Sequence, residues 1–481
     1  MNISVVSRNI GIALVFNAIF MFLGAVTSMI YDFDSAFSPL FLSAVITFTT
    51  GMFPLIFVRK SEDIDLKEGF TIVVFSWVLS CLFGMLPYVL WGGEFSLINA
   101  WYESVSGYTT TGSTILTDVQ GLPKGLLFWR SSTHFIGGIG VVIFMLLILP
   151  SMSTFKMRLS KMEISKLSKE NYRFKAQQTI RIITSVYVGL TILETICLLL
   201  VGMDFFDAIN HAFSTVSTGG FSTKNLSIKA FDSFPIELVI TVFMLLAGLH
   251  FGLLYSSLVS RSGKIFRSPV IQFYLATLLV SVIVIAIDIR LAGNTDSWLT
   301  AFRQSLFQTV SMASTTGFAT TDTAVWPRVS ILILIYLSIQ CACSGSTTGG
   351  IKSDRIFLWW KSVRAQLKKQ IHPNAVIPVR LGNHTVEQDL IASVNLFIVL
   401  YLFILFVVTV LLSLMGLDFI DSFSASVANM GNVGPGFGSI GSLSNYNHFP
   451  VMAKLVLSFE MLLGRLEIYS LLLIFMIYKW R

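Results

Sequence analysis

Charged residues are scarce in this chain of 481 residues. Asp, Glu, Lys and Arg together make up 12% of it, whereas 54% of the residues are hydrophobic. A soluble domain of this length has no interior large enough to bury so much apolar surface. The shortage of charge therefore excludes a soluble protein. Apolar runs such as IGIALVFNAIFMFLGAVTSMI and LFIVLYLFILFVVTVLLSLMG approach the roughly 20 residues of one bilayer crossing and predict a polytopic membrane protein.

Cysteine and histidine are also rare, with four and six residues. The cysteines lie within or beside apolar segments without zinc-finger or redox spacing, which predicts reduced packing residues. These are Cys81, Cys197, Cys341 and Cys343. His134, His211 and His250 show neither metal-ligand spacing nor a local grouping with Ser and Asp. An enzyme is therefore not predicted.

The net charge of +7 comes from basic residues in short loops between apolar segments, not on one soluble face. This placement argues against a nucleic-acid partner and instead sets the membrane orientation, because Lys and Arg concentrate in cytoplasmic loops. We expect the basic loops and both termini to be cytoplasmic. The basic clusters are Arg59, Lys60 and Lys67; residues 156–175; Arg261, Lys264 and Arg267; residues 352–369; and Lys479 with Arg481.

Between successive basic loops lie three apolar stretches, and the middle one is short and rich in Ser, Thr and Gly. Three full crossings would not return the chain to the cytoplasm, so each middle stretch is predicted to be re-entrant. The four stretches read AWYESVSGYTTTGST, AINHAFSTVSTGGFST, SLFQTVSMASTTGFATTD and SFSASVANMGNVGPGFG. Aligning their turns places Gly112, Gly220, Gly317 and Gly436 in register at a period of roughly 100 residues.

The predicted fold is all-α, with four helix, re-entrant pore loop and helix (M1-P-M2) repeats around a pseudo-fourfold pore. Two extra helices, at about residues 8–58, precede the repeats. The predicted divisions are 1–66 for the leading helices, then 67–160, 161–266, 267–370 and 371–481 for repeats 1 to 4.

The four glycine turns suit a ring of backbone carbonyls that replaces the hydration shell of a potassium ion. Glycine permits the dihedral angles that turn carbonyls towards an axis, and it keeps a Cβ away from that axis. Neighbouring threonines offer further oxygens: Thr110, Thr111, Thr218, Thr315 and Thr316. Acidic residues near the outer ends have two open interpretations, helix capping and attraction of cations. They are Glu94, Asp204, Asp296 and Asp418.

The second helix of repeat 3 is predicted to be broken, because CACSGSTTGGIKSD follows the apolar run SILILIYLSIQ. A flexible segment at this depth is suited to gating; the alternative is an ordinary cytoplasmic loop. The candidate gate residues are Gly345, Ser346, Thr347, Thr348, Gly349 and Gly350.

Two charged residues lie inside apolar segments, where a charge is costly. Arg465 either lines the pore, as an electrostatic barrier or a partner of the gate loop, or pairs with Glu460 or Glu467. Glu194 carries the same two interpretations, and a structural hydrogen bond is the expectation.

At these motifs the sequence resembles the Trk/Ktr/HKT superfamily of potassium transporters, specifically the TrkH/TrkG type. The carriers are TTTGS, STGGFST, STTGFATTD and NVGPGFG at the four turns and SGSTTGGIKSDR in the third M2. The resemblance implies filter glycines at Gly112, Gly220, Gly317 and Gly436, a gate loop at about 341–351 and a pore arginine at Arg465. The further filter residues expected are Gly219, Asn432, Val433 and Gly434, beside the threonines already named.

The resemblance also implies a gated channel for potassium uptake in the bacterial inner membrane, with potassium as the transported ion. Coupling of uptake to protons or sodium is the alternative. Members of this family are homodimers that bind cytoplasmic TrkA-type subunits. NAD or ATP is expected only on those partners, and the basic loops at 156–175 and 352–369 are the expected docking surface.

Overall fold

The computed structural model describes residues 2–58, 66–140, 166–259, 265–382, 384–469 and 471–472, with the backbone alone described for residues 66, 166–179 and 384. Several basic positions used above to predict orientation lie outside these residues: Arg59, Lys60, 156–165, Arg261, Lys264 and 479–481. Part of the predicted docking surface and the end of repeat 1 lie outside them too.

The described part of the chain is mostly helical. Its helices are α1 Ile3–Ile30, α2 Phe37–Phe57, α3 Leu66–Gly84, α4 Leu86–Trp91, α5 Leu97–Tyr108, α6 124–140, α7 Lys166–Leu200, α8 Phe205–Val216, α9 Phe234–Gly248, α10 Phe251–Val259, α11 Pro269–Leu291, α12 Trp298–Ala313, α13 Arg328–Gln340, α14 Ser353–Ile371, α15 Gln388–Leu414, α16 Phe419–Met430 and α17 Val451–Arg465. Two antiparallel strands, β1 Arg380–Leu381 and β2 His384–Thr385, form a small hairpin that the all-α prediction lacks. Short 3-10 turns occur at Ser227–Phe231, Ile265–Arg267, Thr323–Val325 and Gly438–Ile440.

Six helices among the described residues are long and apolar enough to cross a membrane. They are α1, α2, the run Lys67–Trp91 through α3 and α4, Ile180–Leu200 of α7, α11 and α15. These correspond to the two leading helices and to the first helix of each predicted repeat. The helices α9, α13 and α17, which follow the glycine turns, are shorter, with 15, 13 and 15 residues.

All three of these shorter helices end in breaks, although only the one in predicted repeat 3 was expected. After α17 the break is at 466–467, where Glu467 has a φ of 55°. The helix α13 stops at Gln340, and the chain is irregular until α14 begins at Ser353. In repeat 2, α9 and α10 are bent by 102° around His250. The His250 Nδ1 accepts from the Gly252 N–H at 3.1 Å, so the ring caps the new helix where its first N–H groups lack partners. With this bent pair counted as one span, the apolar helices number up to seven.

The four short helices α5, α8, α12 and α16 lie inside the molecule, with most of their last three turns buried. Each begins at a side-chain cap: Ser96, Asp204, Ser297 and Asp418 accept a hydrogen bond from an N–H in the first turn. Capping is thus confirmed for Asp204 and Asp418. Buried hydroxyls on these helices bond to neighbouring backbone, as Ser104 does to the Cys81 carbonyl at 2.7 Å. Some buried polar atoms on these helices have no partner among the described residues, including Gln308 Oε1 and Thr309 Oγ1 of α12.

Candidate ion-conduction site

The four short helices end in the same backbone path. Two residues before each turn glycine, a non-glycine residue is left-handed, with φ of 52° at Thr110, 58° at Thr218, 55° at Thr315 and 53° at Asn432. The glycines that follow also have positive φ: 80° at Gly112, 83° at Gly220, 75° at Gly317 and 92° at Gly434. The N–H between them donates to a carbonyl five residues back in the short helix, at 2.7 to 2.9 Å. The four turns are conformational copies of one another.

The turns also close into a ring. A Cβ added at Gly112 would overlap the carbonyl oxygen of Gly219, and one at Gly220 would overlap that of Thr316. One at Gly317 would overlap the carbonyl of Val433, and one at Gly434 would overlap that of Thr111. Each glycine therefore touches the main chain of the next turn, and the fourth returns to the first. All four glycines line one cavity.

The predicted register of the fourth turn was wrong by two residues. The residue equivalent to the other three glycines is Gly434, whereas Gly436 does not line the cavity. A Cβ at Gly436 would instead meet the Ile440 side chain. The alignment followed the dipeptide Gly-Phe, which recurs at Gly220, Gly317 and Gly436. In the fourth segment Pro435 and Gly436 intervene between the turn glycine and the phenylalanine.

Side chains around the ring follow a twofold pattern. The Thr111 and Thr316 hydroxyls lie 2.8 Å from the hydroxyls of Thr109 and Ser314, respectively. The corresponding positions in the second and fourth turns are Gly219 and Val433, which have no hydroxyl. In the fourth turn, Asn432 Nδ2 donates to Thr111 Oγ1 at 3.0 Å. Oxygens from side chains are thus concentrated on the first and third turns.

The 341–351 loop lies directly against the ends of the short helices. The Thr347 hydroxyl donates to the Val216 carbonyl at 2.9 Å, and the Gly349 N–H donates to Thr315 Oγ1 at 3.1 Å. A Cβ at Gly349 would overlap the Gly431 carbonyl, so the loop also touches the fourth short helix. Ser346, Thr347, Thr348 and Gly349 are buried. The predicted candidate gate segment therefore contacts three of the four short helices.

Arg465 contacts this loop. It is buried at the end of α17 and donates to the carbonyls of Thr347 at 2.6 Å and Gly137 at 3.3 Å. It does not pair with the two glutamates that were alternatives, because Glu467 pairs with Arg355 at 2.8 Å and Glu460 accepts from a serine.

Lys352 is a second buried cation at the loop. Its Nζ donates to the carbonyl and the hydroxyl of Thr348. From the sequence it was only one more basic-loop residue, and no local signal distinguished it.

A buried ion pair lies behind the first two turns. The Arg130 Nε is 2.6 Å from Glu103 Oε1, and the guanidinium lies 3.5 Å from the centre of the Phe221 ring. Arg130 also donates to the Ser222 carbonyl at 3.1 Å, while Glu103 accepts from the Ile115 N–H at 3.0 Å. The pair thus joins the segments that follow Gly112 and Gly220. Sequence reasoning missed it, because Arg130 follows a short loop and resembles a topogenic residue.

Glu194 lies on α7, and its two carboxyl oxygens have no hydrogen-bond partner among the described residues. The side chain is fully buried and faces Thr215, whose hydroxyl donates to the His211 carbonyl. Thr215 is therefore the side chain towards which the structural hydrogen bond expected for Glu194 would be made. The cysteines are free, and the described residues hold no group of three His, Cys, Asp or Glu side chains that suits a metal ion.

The TrkH family model, described as a cation transport protein, matches residues 39–479. The chain belongs to the TrkH family. Its relatives in that family include the Trk system potassium uptake protein TrkH of Salmonella typhimurium, which is 33% identical over 88% of each chain. TrkG of Escherichia coli is 34% identical over 95% of this chain and 94% of its own. The crystal structure of the potassium transporter TrkH from Vibrio parahaemolyticus superposes with a TM-score of 0.90 at 30% identity, covering 100% of both chains. This TrkH-family chain is a membrane transporter of the Trk potassium uptake type and not an enzyme.

Proposed function

We propose that this chain takes potassium into the cell through a pore whose filter is the closed ring of four glycine turns. The observation that carries the proposal is the ring itself: each turn glycine has positive φ and touches a carbonyl of the next turn. Such a ring offers carbonyl oxygens to a dehydrated cation without a full charge. The metal ion that this chain binds is then potassium, and it binds at the residues around Gly112, Gly220, Gly317 and Gly434.

The surrounding charges support a cation as the transported ion. The four short helices end at the ring, so their partly negative C-terminal ends face the ion path. Two basic residues line the outer cavity, and each has an acidic partner: Arg130 with Glu103 at 2.6 Å and Lys224 with Asp207 at 3.0 Å. Pairing reduces their repulsion of an approaching cation.

The 341–351 loop is the proposed gate. It lies against the C-terminal ends of three short helices and is held there by Arg465 through the Thr347 carbonyl. We infer from these contacts that it blocks the ion path below the ring. A segment without helical hydrogen bonds can move with fewer broken contacts than a continuous helix. Movement of this loop away from the ring would open the path.

The cellular setting is proposed from the family and the charge pattern. We place the chain in the bacterial inner membrane with cytoplasmic termini, as a homodimer that binds TrkA-type subunits carrying NAD or ATP. The four M1-P-M2 repeats keep the predicted divisions at 67–160, 161–266, 267–370 and 371–481, with the short helices re-entrant from outside. We expect membrane lipid around the chain, and we expect no nucleic-acid partner.

Coupled uptake is the second candidate function. Glu194 favours it, because ionisable carboxyls inside the membrane mark proton pathways in transporters, and Glu194 is a fully buried carboxyl without a charged partner. In a symporter this group would exchange its proton as potassium passes the same filter. Proton movement that accompanies rubidium entry, lost in Glu194→Gln, would support symport over simple conduction.

The decisive experiment is rubidium-86 uptake into liposomes that contain the purified chain, and into bacteria that lack their own potassium uptake systems. Potassium, sodium and lithium serve as competitors. The variant is Gly112→Ser, in which a Cβ meets the next turn. The matched control is Gly202→Ser, because Gly202 has a φ of 93° but nothing lies within 4 Å of an added Cβ.

We expect uptake that potassium blocks far more strongly than sodium, with this preference lost in Gly112→Ser and retained in Gly202→Ser. Both variants carry a backbone strain of about 1–3 kcal/mol, so a difference between them reports crowding of the ring. Equal behaviour of the two variants, or absence of rubidium uptake in both liposomes and cells, would overturn the proposal.

A further inference from the structure

Tyr446 holds the place where the fourth turn meets the first. It is buried in the segment between the Gly438–Ile440 turn and α17. Its main-chain N–H donates to the carbonyl of Thr114 at 2.8 Å, and its phenol hydroxyl donates to the carbonyl of Gly434, also at 2.8 Å. Thr114 is two residues beyond Gly112. A single residue therefore ties the outgoing segment of the first turn to the glycine of the fourth.

The Tyr446 hydroxyl distinguishes the Gly434 carbonyl from the carbonyls of the other three turn glycines. Among the described residues, the carbonyls of Gly112, Gly220 and Gly317 accept no hydrogen bond, whereas that of Gly434 accepts one from Tyr446. A hydrogen bond restricts the direction of a carbonyl and draws electron density from its oxygen. The Gly434 carbonyl is therefore held more firmly than its equivalents.

Tyr446 is itself fixed from two sides. Its ring packs against Tyr102 of α5, with centroids 5.8 Å apart, and against Phe449, at 5.3 Å. The hydroxyls of Tyr102 and Ser113 lie 3.1 Å apart, and Ser113 donates to Asn429 of α16 at 3.2 Å. Both short helices that border this seam thus contribute to the support of the phenol. A hydrogen bond from so confined a group holds its acceptor in one position.

We propose that Tyr446 is a specificity-determining positioning residue of the transporter. It keeps the Gly434 carbonyl and the first-turn backbone at the spacing that suits potassium. Coordination of the smaller sodium ion requires ring oxygens to move inward, and a carbonyl bonded to the phenol resists that movement. This inference rests on the proposed filter function of the ring.

The test is Tyr446→Phe, which removes the hydroxyl and leaves the ring packing. Its matched control is Tyr401→Phe, because Tyr401 is equally buried in the same repeat and its hydroxyl has no partner among the described residues. Rubidium-86 uptake into liposomes is measured with potassium or sodium as competitor. Thermal unfolding of each purified variant accompanies the transport assay.

For Tyr446→Phe, we expect the ratio of the sodium and potassium concentrations that halve uptake to fall about three- to tenfold, the range that loss of one hydrogen bond allows. Maximal rubidium uptake should match that of Tyr401→Phe, and the unfolding temperature should be lower than that of Tyr401→Phe by no more than the loss of one hydrogen bond allows. A residue that only stabilised the fold would lower the unfolding temperature and the amount of active protein without changing the ratio.

The variant Gly112→Ser distinguishes failure of the proposed Tyr446 role from failure of the proposed filter. If Gly112→Ser loses ion preference while Tyr446→Phe keeps the wild-type ratio, the positioning role is wrong and the filter stands. If neither variant changes the ratio, the filter itself is wrong, and the role of Tyr446 falls with it. A ratio that falls equally in Tyr401→Phe would also overturn the inference, because that hydroxyl does not touch the ring.

Discussion

Removal of the Arg130 side chain should lower the free energy of unfolding strongly, because it leaves the buried Glu103 carboxylate without its partner. In Arg130→Met the Glu103 carboxylate stays buried without its cation, and we expect a loss of about 3–5 kcal/mol in the free energy of unfolding. In the double variant Glu103→Gln with Arg130→Met no charge remains, and only hydrogen bonds and the contact with Phe221 are lost. That variant should cost about 2 kcal/mol, less than Arg130→Met alone.

A second ion pair supplies the control. The Arg303 Nε lies 2.7 Å from a Glu237 oxygen, but the arginine side chain is 34% exposed, compared with 3% for Arg130. Water therefore screens the arginine, although the Glu237 side chain is only 8% exposed, and Arg303→Met should cost about 1–2 kcal/mol, less than Arg130→Met. The free energies come from SDS titration of the purified protein in detergent micelles, followed by circular dichroism.

If Arg130→Met and Arg303→Met cost the same, burial does not determine the strength of the pair. If the double variant is less stable than Arg130→Met, an unpaired carboxylate was not the source of the loss. Rubidium competition on the same samples shows whether the segments after Gly112 and Gly220 depend on the pair for ion preference.

Three further predictions concern the ring, Glu194 and the loop. Gly434→Ala should abolish the preference for potassium over sodium in rubidium competition, and Gly436→Ala should keep it, because only Gly434 lies in the ring. The opposite result would restore the predicted register, with Gly436 as the filter glycine. Glu194→Gln should change the free energy of unfolding by about 1 kcal/mol or less, because a buried carboxyl without a charged partner is more stable in the neutral form that Gln resembles. A loss above about 3 kcal/mol would indicate a charged carboxylate. Arg465→Gln should raise rubidium uptake by the chain alone about threefold or more, because the Thr347 carbonyl loses a charged hydrogen-bond donor. Unchanged or lower uptake would mean that Arg465 does not hold the loop closed.

The membrane-crossing helices were predictable because hydropathy depends on composition along a short window. The six long apolar helices lie where the sequence placed the leading helices and the first helix of each repeat. The bend at His250 was not predictable in this way. The residues around it, LAGLHFGLLY, are apolar throughout, and the break depends on contact with a distant loop: the Phe251 N–H donates to the Gly345 carbonyl at 3.1 Å.

The candidate site was predictable in composition but not in register. Glycine and threonine mark the turns, since few residues adopt a positive φ without strain. The sequence does not say which glycine of NVGPGFG enters the ring, because that depends on contact with Thr111 of a different turn. Tyr446 escaped notice for the same reason: its partners, Thr114 and Gly434, are far apart in the sequence and meet only in the fold.

The closed ring has a consequence for biosynthesis. The first turn needs the fourth as its neighbour, so Gly112 has no completed surroundings until the segment around Gly434 has left the ribosome and entered the bilayer. A chain that stops before the fourth turn would leave Gly317 and Thr111 without the backbone that each of them meets in the closed ring. Truncated products should therefore be recognised and degraded as unassembled membrane segments, and should not persist as unselective leaks.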